Sequence, residues 1–418
     1  MTVMPISPPQ FFPRWIRLAA CAAAVALAVP AKAQTDDTVP FYVGGSLGVS
    51  HVSNIYHQSD ATNSDTVVSA GLLGGLDQRL GRQHFKLDGS LQDNRYSTNR
   101  DLNNQSYSLR TALDWQTIGD LSGTLSAKSD RSLADFNVGS GVNPIFRKNT
   151  ERNDEYQAFA RLGVATRYSL EAGWIRRKRD FSAEEYDRFV FHQDAGSLGI
   201  YATPAGNVRL GLVGRHTKGQ NPRYPVGIAI DPDNSKLVVV SAPNDFSRDD
   251  IDFTTRWSTG GSSELNTRIS RSRTKNSLEA LRNFSGTTGA VAWNWQATAK
   301  IQLNIYYSRD TGQESQISVA DVDRVYTTWQ ANGTYALTGK INLNASVGRY
   351  RARRSSDPGV PVFDALENNR SYNVGMRWSF SRSFSLSCQY DHSSRDSSVP
   401  QYVYSAGSYG CTGQAILY

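Results

Sequence analysis

The sequence predicts an all-β protein, a transmembrane antiparallel up-and-down β-barrel of about 18 strands, with about 16 strands as the competing number. Three observations predict this fold. Apolar and polar residues alternate with a period of two along most of the chain. The alternating segments run about 12 to 16 residues, longer than the usual 5 or 6 residues of soluble strands. Short turns and long polar loops also follow one another in regular succession.

The first segment, residues 1–33, has the organisation of a cleaved export signal. Arg14 and Arg17 precede the apolar run Leu18–Val29, and Ala31-Lys32-Ala33 supplies the small residues of a cleavage site. The run is shorter than the roughly 20 apolar residues of a transmembrane helix. We therefore expect cleavage between Ala33 and Gln34, a short periplasmic segment at 34–40, and a barrel at 41–418.

A lipoprotein signal is the alternative at this end of the chain, because Leu18-Ala19-Ala20-Cys21 resembles a lipobox. Only three residues separate Arg17 from Cys21, which leaves no apolar stretch before the cysteine. The cleaved signal is therefore the favoured interpretation.

The composition fits a sheet with one wet and one apolar face. Only 39% of the residues are hydrophobic, yet the chain has 34 Gly, 20 Tyr, 16 Phe and 8 Trp. Disordered chains are polar but poor in aromatic residues. The net charge is +7, and behind an export signal this favours lipopolysaccharide or an anionic solute over nucleic acid as a partner.

The strands are clearest in the second half of the chain. In Ile301–Ser308, Ile, Leu, Ile and Tyr lie on one face, and Gln, Asn, Tyr and Ser lie on the other. The pattern recurs at Thr328–Leu337, Ile341–Val347 and Tyr372–Phe380. A soluble antiparallel sandwich would also alternate. Strand length, Tyr and Trp near segment ends, and the connections favour the membrane barrel.

The connections alternate between two kinds. Longer polar stretches such as Val138–Asn153 and Asp310–Asp321 are expected outside, and both chain ends are expected in the periplasm. The longest stretch, Gln220–Arg248, is interpreted as an external hairpin, with an inward constriction or an extra strand pair as alternatives. The short links are Leu80–Arg82, Ile118–Asp120, Thr166–Tyr168, Thr203–Asn207, Thr259–Ser263, Thr298–Lys300, Thr338–Lys340 and Ser381–Ser383.

The chain ends on Tyr418, with Ile416 two residues before it and Gly413 three residues before Ile416. A terminal aromatic residue after alternating apolar residues resembles the signal that the barrel-assembly machinery reads. Thr412 and Gln414 depart from this pattern because they are polar. We expect the machinery to be a partner of this segment.

The face opposite the apolar one is expected to line the lumen. A wet lumen tolerates charge, whereas an Arg or Lys exposed to mid-membrane lipid costs about 2–4 kcal/mol. More bases than acids lie on this face, which predicts a mildly positive, hydrated interior. Either this wall contacts anions or a polysaccharide, or its charges simply pair across strands and fill the barrel. The candidate bases are Lys86, Arg110, Lys128, Arg161, Arg177, Arg209, Arg256, Arg268 and Arg377, and the acids are Asp88, Asp114, Glu171, Asp252 and Glu264.

A second basic set lies at the predicted outer strand ends. It comprises Arg176–Arg179, Arg271, Arg273 and Arg349–Arg354. Charge on both strand faces indicates that these segments have left the hydrocarbon. We expect them to contact lipopolysaccharide phosphates.

Two cysteines of the mature chain, Cys388 and Cys411, lie on the last two predicted strands. The midpoint between them falls at Val399–Pro400, so a symmetric hairpin places them opposite each other. An oxidising compartment then favours a disulfide. Cys388 has lipid-facing parity but Cys411 is out of phase with Tyr418, so we expect a bulge to reconcile them.

Catalysis has no support in the motifs. The histidines are scattered, and neither an H-E-x-x-H pattern nor a G-x-S-x-G elbow occurs. We expect neither an enzyme nor a bound cofactor or metal.

Several strand-and-turn motifs recur along the mature chain: Leu113-Asp114-Trp115, Leu121–Leu125, Leu133–Asn137, Arg223-Tyr224-Pro225, Asn244-Asp245-Phe246, Trp257–Ser263, Arg282–Gly289, Trp293–Thr298 and Leu337–Ile341. These motifs resemble the β-barrel porin 2 group, and within it the exopolysaccharide-biosynthesis outer-membrane proteins called EpsL. The resemblance spans nearly all of the mature chain. It implies a Gram-negative outer-membrane protein that acts with other polysaccharide-secretion proteins, and it carries no catalytic residue.

The leading functional expectation is therefore a conduit or accessory in the biosynthesis and export of an extracellular polysaccharide. A general anion-favouring diffusion porin is the first alternative. A plugged structural barrel or surface adhesin is the second.

Overall fold

The computed structural model describes residues 40–60, 62–139, 142–163, 167–230, 237–278, 283–311, 324–354 and 366–418. The expected export signal, with its cleavage site at Ala33 and Gln34, lies outside the described residues. Most of the expected loop Asp310–Asp321 also lies outside them, as do residues 231–236 of the stretch Gln220–Arg248.

Eighteen antiparallel strands form one closed barrel in the described chain. Each strand pairs with its neighbours in sequence, and β1 pairs with β18 from Val43↔Leu417 to Val52↔Ser408 to close the sheet. The strand number is 18 rather than 16. The strands are β1 (Phe41–Val52), β2 (Asp65–Leu80), β3 (Gln83–Tyr96), β4 (Asn104–Gln116), β5 (Leu121–Leu133), β6 (Thr150–Leu162), β7 (Tyr168–Phe181), β8 (Phe191–Ala205), β9 (Val208–Ile230), β10 (Leu237–Thr259), β11 (Ser263–Asn276), β12 (Phe284–Gln296), β13 (Ile301–Thr311), β14 (Arg324–Ala336), β15 (Ile341–Arg354), β16 (Glu367–Trp378), β17 (Phe384–Ser397) and β18 (Tyr404–Leu417).

Short links join the strands at one end of the barrel, the turn end, and longer links join them at the other, the outer end. Glycines with positive φ make two of the tightest turns, Gly81 after β2 and Gly260-Gly261 after β10. The first residue of β1 and the last residue of β18 both lie at the turn end. Short turns face the periplasm in outer-membrane barrels, so the longer links face outside.

The two faces of the sheet differ sharply in polarity. The outer face exposes large apolar side chains, among them Leu47 at 67% and Leu72 at 66%. The other face is polar. Arg395 of β17 donates from this face to Asn137, in the link between β5 and β6. These strands are distant along the sheet, so the contact crosses the interior and the polar face lines the lumen.

Closure lets each strand pair on both sides within the barrel wall, as a hydrocarbon environment requires of the backbone. The exposed apolar face then meets lipid, and the chain is an integral outer-membrane protein. Among the described residues, no helix is both long and apolar enough to cross a bilayer.

The stretch Gln220–Arg248 is the far part of a hairpin between the two longest strands, each of 23 residues. β8 accompanies β9 only as far as Gln220, while β9 and β10 stay paired to Ile230↔Leu237. The hairpin therefore projects from the outer end. The β9–β10 register shifts near Pro222, Pro225 and Pro243, because proline has no N–H for the ladder.

Cys388 and Cys411 are direct partners in the β17–β18 ladder and are joined by a disulfide. The expected bulge is wrong, because the ladder runs without a register shift. A bulge would be needed only if Tyr418 faced lipid. Instead, Leu417 is exposed on the outer face, so Ile416 and Tyr418 have inner-face parity.

Candidate functional site

The candidate site is the barrel lumen. All of the predicted lumen bases occupy inner-face positions, on strands β3 to β7, β9 to β11 and β16. They alternate with outward apolar residues such as Leu91, Leu109 and Leu125, which are exposed. The structure does not leave most of them as free cations, because acidic side chains lie beside them.

Arg161 and Arg209 share one acid. Both guanidinium groups contact the carboxylate of Glu171, Arg161 through Nε and Arg209 through Nη2 at 2.6 Å. The guanidinium of Arg209 also lies 4.0 Å from the ring centroid of Tyr201, a cation–π contact. This cluster joins β6, β7, β8 and β9 on the inner face.

Four further predicted bases have acidic partners. The distances are 2.6 Å for Lys128–Asp130, 2.8 Å for Arg177–Glu155, 2.6 Å for Arg256–Glu264 and 2.7 Å for Arg268–Asp310. Sequence reasoning missed Asp130, Glu155 and Asp310, although their alternation with known inner positions could have identified them. These acids offset the predicted excess of positive charge.

The remaining predicted residues also lie among polar groups. Lys86 stands opposite Asp77 in the β2–β3 ladder, and Arg110 stands between Asp88 and Lys128. Arg377 donates to the hydroxyl of Ser385 at 3.2 Å. Asp88 accepts from the Tyr42 hydroxyl at 2.7 Å, Asp114 accepts from Thr124 at 2.7 Å, and Asp252 lies 3.8 Å from Arg215.

A buried cluster around Arg248 was not predicted, because this residue closes the stretch interpreted as a loop. Its side chain is fully buried, and Nε donates to both carboxylate oxygens of Asp250 at 2.9 Å. Arg248 also donates to Ser272 at 3.0 Å and to Thr311. Arg215 lies 3.1 Å from Asp250 on the other side. The cluster joins β9, β10, β11 and β13.

The inner face of β12 to β16 is mainly neutral and carries side-chain amides. Asn304 donates to Asn294, and Asn332 donates to Asn304 at 3.4 Å. Asn344 donates to Asn373 at 2.9 Å, and Asn373 donates to Asp391 of β17 at 2.7 Å. The lumen therefore has a wall of paired charges on β5 to β11 and a wall of amides on β12 to β16.

The link between β5 and β6 lies at the outer end, as expected for a long connection, but it folds across the lumen, and residues 150–153 belong to β6. Phe136, Val138, Val142 and Ile145 are buried. They pack in one apolar cluster with Ile55, Tyr56, Leu102, Tyr186 and Phe189 from the neighbouring links. We call residues 134–139 and 142–149 the inward loop. The apolar residues within this otherwise polar stretch are the signal from which the packing could have been predicted.

The inward loop reaches the opposite wall through Asn137. The amide donates to the carbonyl of His57 at 2.8 Å, and Arg395 Nη1 donates to the Asn137 carbonyl at 3.0 Å. The backbone of Gly139 lies against the carboxylate of Glu367 on β16. The sheet path from β5 to β17 passes through β4, β3, β2, β1 and β18, so the loop crosses the lumen near its outer end.

Charged and aromatic groups fix the inward loop to the link before β8. The Tyr186 hydroxyl donates to the carbonyl of Asp135 at 2.6 Å, and burial, with the nearby Asp135 charge, raises the Tyr186 pKa well above its usual value. Arg147 donates to Glu185 at 2.7 Å. Burial opposes ionisation of Glu185, but hydrogen bonds, chiefly that from Arg147, hold its pKa below the usual value.

Within the described residues, no group of three or more His, Cys, Asp and Glu side chains is placed to hold a metal ion. His57 lies 3.2 Å from Asp135 and stacks on Tyr404 with ring centroids 4.1 Å apart. It thus belongs to the packing of the inward loop.

No family model and no curated protein matches the chain. Solved outer-membrane structures are similar to it at low identity. The outer membrane protein OpdK of Pseudomonas aeruginosa is 10% identical, with 90% of this chain and 99% of that chain covered and a TM-score of 0.46. OccK2 (OpdF) of Pseudomonas aeruginosa, solved with glucuronate, is 10% identical, with 90% and 98% covered and a TM-score of 0.45. The ferric-catecholate import receptor Fiu of E. coli K12 is 9% identical, with 92% and 82% covered and a TM-score of 0.44.

Proposed function

We propose that this chain acts in the export of an extracellular polysaccharide, as an outer-membrane conduit or as an accessory to one. The observation that supports this proposal is the lining of the lumen. Its charges are largely paired, and the wall of β12 to β16 carries amides that can both donate and accept hydrogen bonds. Such a wall suits a hydrated, hydroxyl-rich solute. The resemblance of the sequence motifs to the EpsL proteins points to the same role.

A general anion-favouring porin receives less support. Anion preference needs positive charge that stays uncompensated along the path. Arg161, Arg209, Arg256 and Arg268 all contact acids. The positive net charge of the chain resides partly in outward residues instead, for example Arg271 and Arg273.

A barrel closed at its outer end is the second candidate, and the inward loop favours it. Asn137 is fully buried between the link after β1 and the wall at β17. A loop held in this way narrows the lumen near its outer end. Under this candidate the barrel presents its outer links, including the β9–β10 hairpin, as a surface for other molecules.

An unmarked deletion of the coding region tests the proposal. We expect surface polysaccharide to be lost while its cytoplasmic precursors remain, and we expect the wild-type chain supplied in trans to restore it. Uptake of small anionic antibiotics serves as the control. Normal surface polysaccharide in the deletion strain contradicts the proposal, and a change in anion uptake alone supports the porin.

We also propose two partners, lipopolysaccharide and the barrel-assembly machinery. Arg176 and Lys178 are exposed on the outer face near the outer end, as are Arg271 and Arg273, and they suit lipopolysaccharide phosphates. Arg177 and Arg179 of the same run point inward to acids instead. Gly413, Ile416 and Tyr418 are proposed as the segment that the barrel-assembly machinery reads.

A further inference from the structure

An unbroken line of polar side chains crosses six strands on the inner face. Its members occupy directly paired positions from β12 to β17, so each is the nearest cross-strand neighbour of the next. We call this line, with the adjacent Asn344, the amide track. Its members are Asn294, Asn304, Asn332, Ser346, Asn373 and Asp391.

The amide track rises through the lumen. Asn294 lies two residues before Gln296, the turn end of β12, whereas Asp391 lies in the middle of β17. Barrel strands tilt against the barrel axis, so a line of paired positions winds obliquely around the wall. Four residues beyond Asp391 on the same strand, Arg395 contacts the inward loop. The track therefore leads from the periplasmic mouth toward that loop.

The hydrogen bonds within the track orient its amides without exhausting them. A side-chain amide offers two donor hydrogens and an acceptor oxygen with two lone pairs. Asn304 donates to Asn294 and also accepts from Asn332, and Asn373 accepts from Asn344 while it donates to Asp391. Asn294 and Asn344 are exposed on the lumen side. Donors and acceptors thus remain available at fixed orientations.

This pattern distinguishes between classes of ligand. Sugar hydroxyl groups donate and accept, so they can use both functions of each amide. A carboxylate only accepts hydrogen bonds, so it would leave the amide oxygens without a donor. Its negative charge would also be repelled by the carboxylate of Asp391 in the same track. The cations of the opposite wall are held by acids, as in the Arg161–Glu171–Arg209 cluster.

We infer that the amide track is a binding site for a neutral, hydroxyl-rich glycan in extended form, which it guides between the periplasmic mouth and the inward loop. The inference rests on the proposed function and names the substrate class of the same lumen. It assigns the binding to amides rather than to the basic residues.

Equilibrium binding tests the inference without requiring an open channel. The full barrel, purified from outer membranes in detergent, is titrated calorimetrically with maltoheptaose, with cellohexaose and with an oligogalacturonate of similar length. We expect the neutral sugars to bind and the anionic one to bind at least tenfold more weakly. The Asn304→Leu/Asn332→Leu variant should lose at least tenfold in affinity for the neutral sugars.

Two matched variants control for structural damage. Asn304→Gln/Asn332→Gln keeps the amides and should recover part of the affinity. Lys128→Gln/Asp130→Asn removes a charge pair from the opposite wall and should leave neutral-sugar affinity within twofold. Heat-modifiable gel migration verifies that each variant is a folded barrel.

The inference is overturned if neither neutral sugar binds the wild-type barrel, if the leucine variant binds them equally well, or if the oligogalacturonate binds more tightly. Its failure is separable from that of the proposed function. If the deletion strain loses surface polysaccharide but the purified barrel prefers the anionic sugar, only the inference of a neutral glycan at the amide track is rejected. Normal export in the deletion strain rejects the export role itself.

Discussion

Arg248 shows how this barrel tolerates a buried charge. Burying a cation is costly unless it is paired and its hydrogen-bond donors are satisfied. The guanidinium has the carboxylate of Asp250 and the hydroxyl groups of Ser272 and Thr311 as acceptors. The residue therefore ties three neighbouring parts of the wall together.

Replacement of Arg248 by methionine should lower the free energy of unfolding by about 3 kcal/mol, because removal of one partner leaves a buried carboxylate poorly compensated. Arg215 remains near Asp250, so the loss should lie at the lower end of the usual range. Urea unfolding of the barrel in lipid vesicles measures it. Arg271→Met, on the exposed outer face of the next strand, is the control and should change stability by less than about 0.5 kcal/mol. Equal effects of the two substitutions would contradict the assignment.

At the scale of elements, the inward loop depends on one glycine. Gly139 has a φ of +66°, a conformation that favours glycine. A Cβ at this position would also lie 2.6 Å from the carboxylate of the buried Glu367. A side chain here would strain the backbone and would also require the carboxylate of Glu367 to move.

The Gly139→Val substitution should therefore undock the inward loop while the barrel stays folded. Arg147 and Lys148 lie in this loop, so trypsin should cleave there several-fold faster than in the wild type. Gly206→Val is the matched control, because a Cβ at Gly206 meets nothing within 4 Å and its φ is not positive. Unchanged cleavage of the Gly139 variant would show that the loop is held without this contact.

The last hairpin carries a covalent link in addition to its ladder. The disulfide joins positions that are 23 residues apart, and chain-entropy estimates give about 3 kcal/mol for a loop of this size. The Cys388→Ser/Cys411→Ser variant should still form a barrel but unfold at lower urea concentration. Reductant should lower the midpoint of the wild type toward that of the variant. A reductant effect on the variant itself would point to another cause.

At the scale of the whole molecule, the cost of a charged substitution depends on whether the face that carries it meets lipid or water. Leu198 is exposed on the outer face in the middle of β8, and Ser197 beside it points into the lumen. Leu198→Arg should cost about 2–4 kcal/mol, as expected for an arginine that faces the bilayer midplane. Ser197→Arg should cost clearly less because its side chain meets water. Urea unfolding in vesicles compares them, and a reversed order would exchange the two faces.

The sequence by itself determined the barrel. Lipid favours apolar side chains on one face of a strand, and water favours polar side chains on the other. A stretch such as Ile301–Ser308 therefore predicts both a strand and which of its residues face lipid. Turn and loop lengths then predict the strand number, since antiparallel neighbours need only short links on one side. These signals are local, and each can be read without knowledge of the rest of the chain.

Only the tertiary structure decided what fills the lumen. Asn137 meets Arg395 across 258 positions, and Arg248 meets Thr311 across 63. No local pattern encodes such contacts. The pairing of acids with the predicted bases, such as Glu155 with Arg177, likewise depends on neighbours in space. Alternation determines which side of the wall a residue occupies, but packing between distant segments determines its partner. Because most predicted bases have acidic partners, the lumen has a charge-paired wall and a neutral amide wall rather than a basic lining.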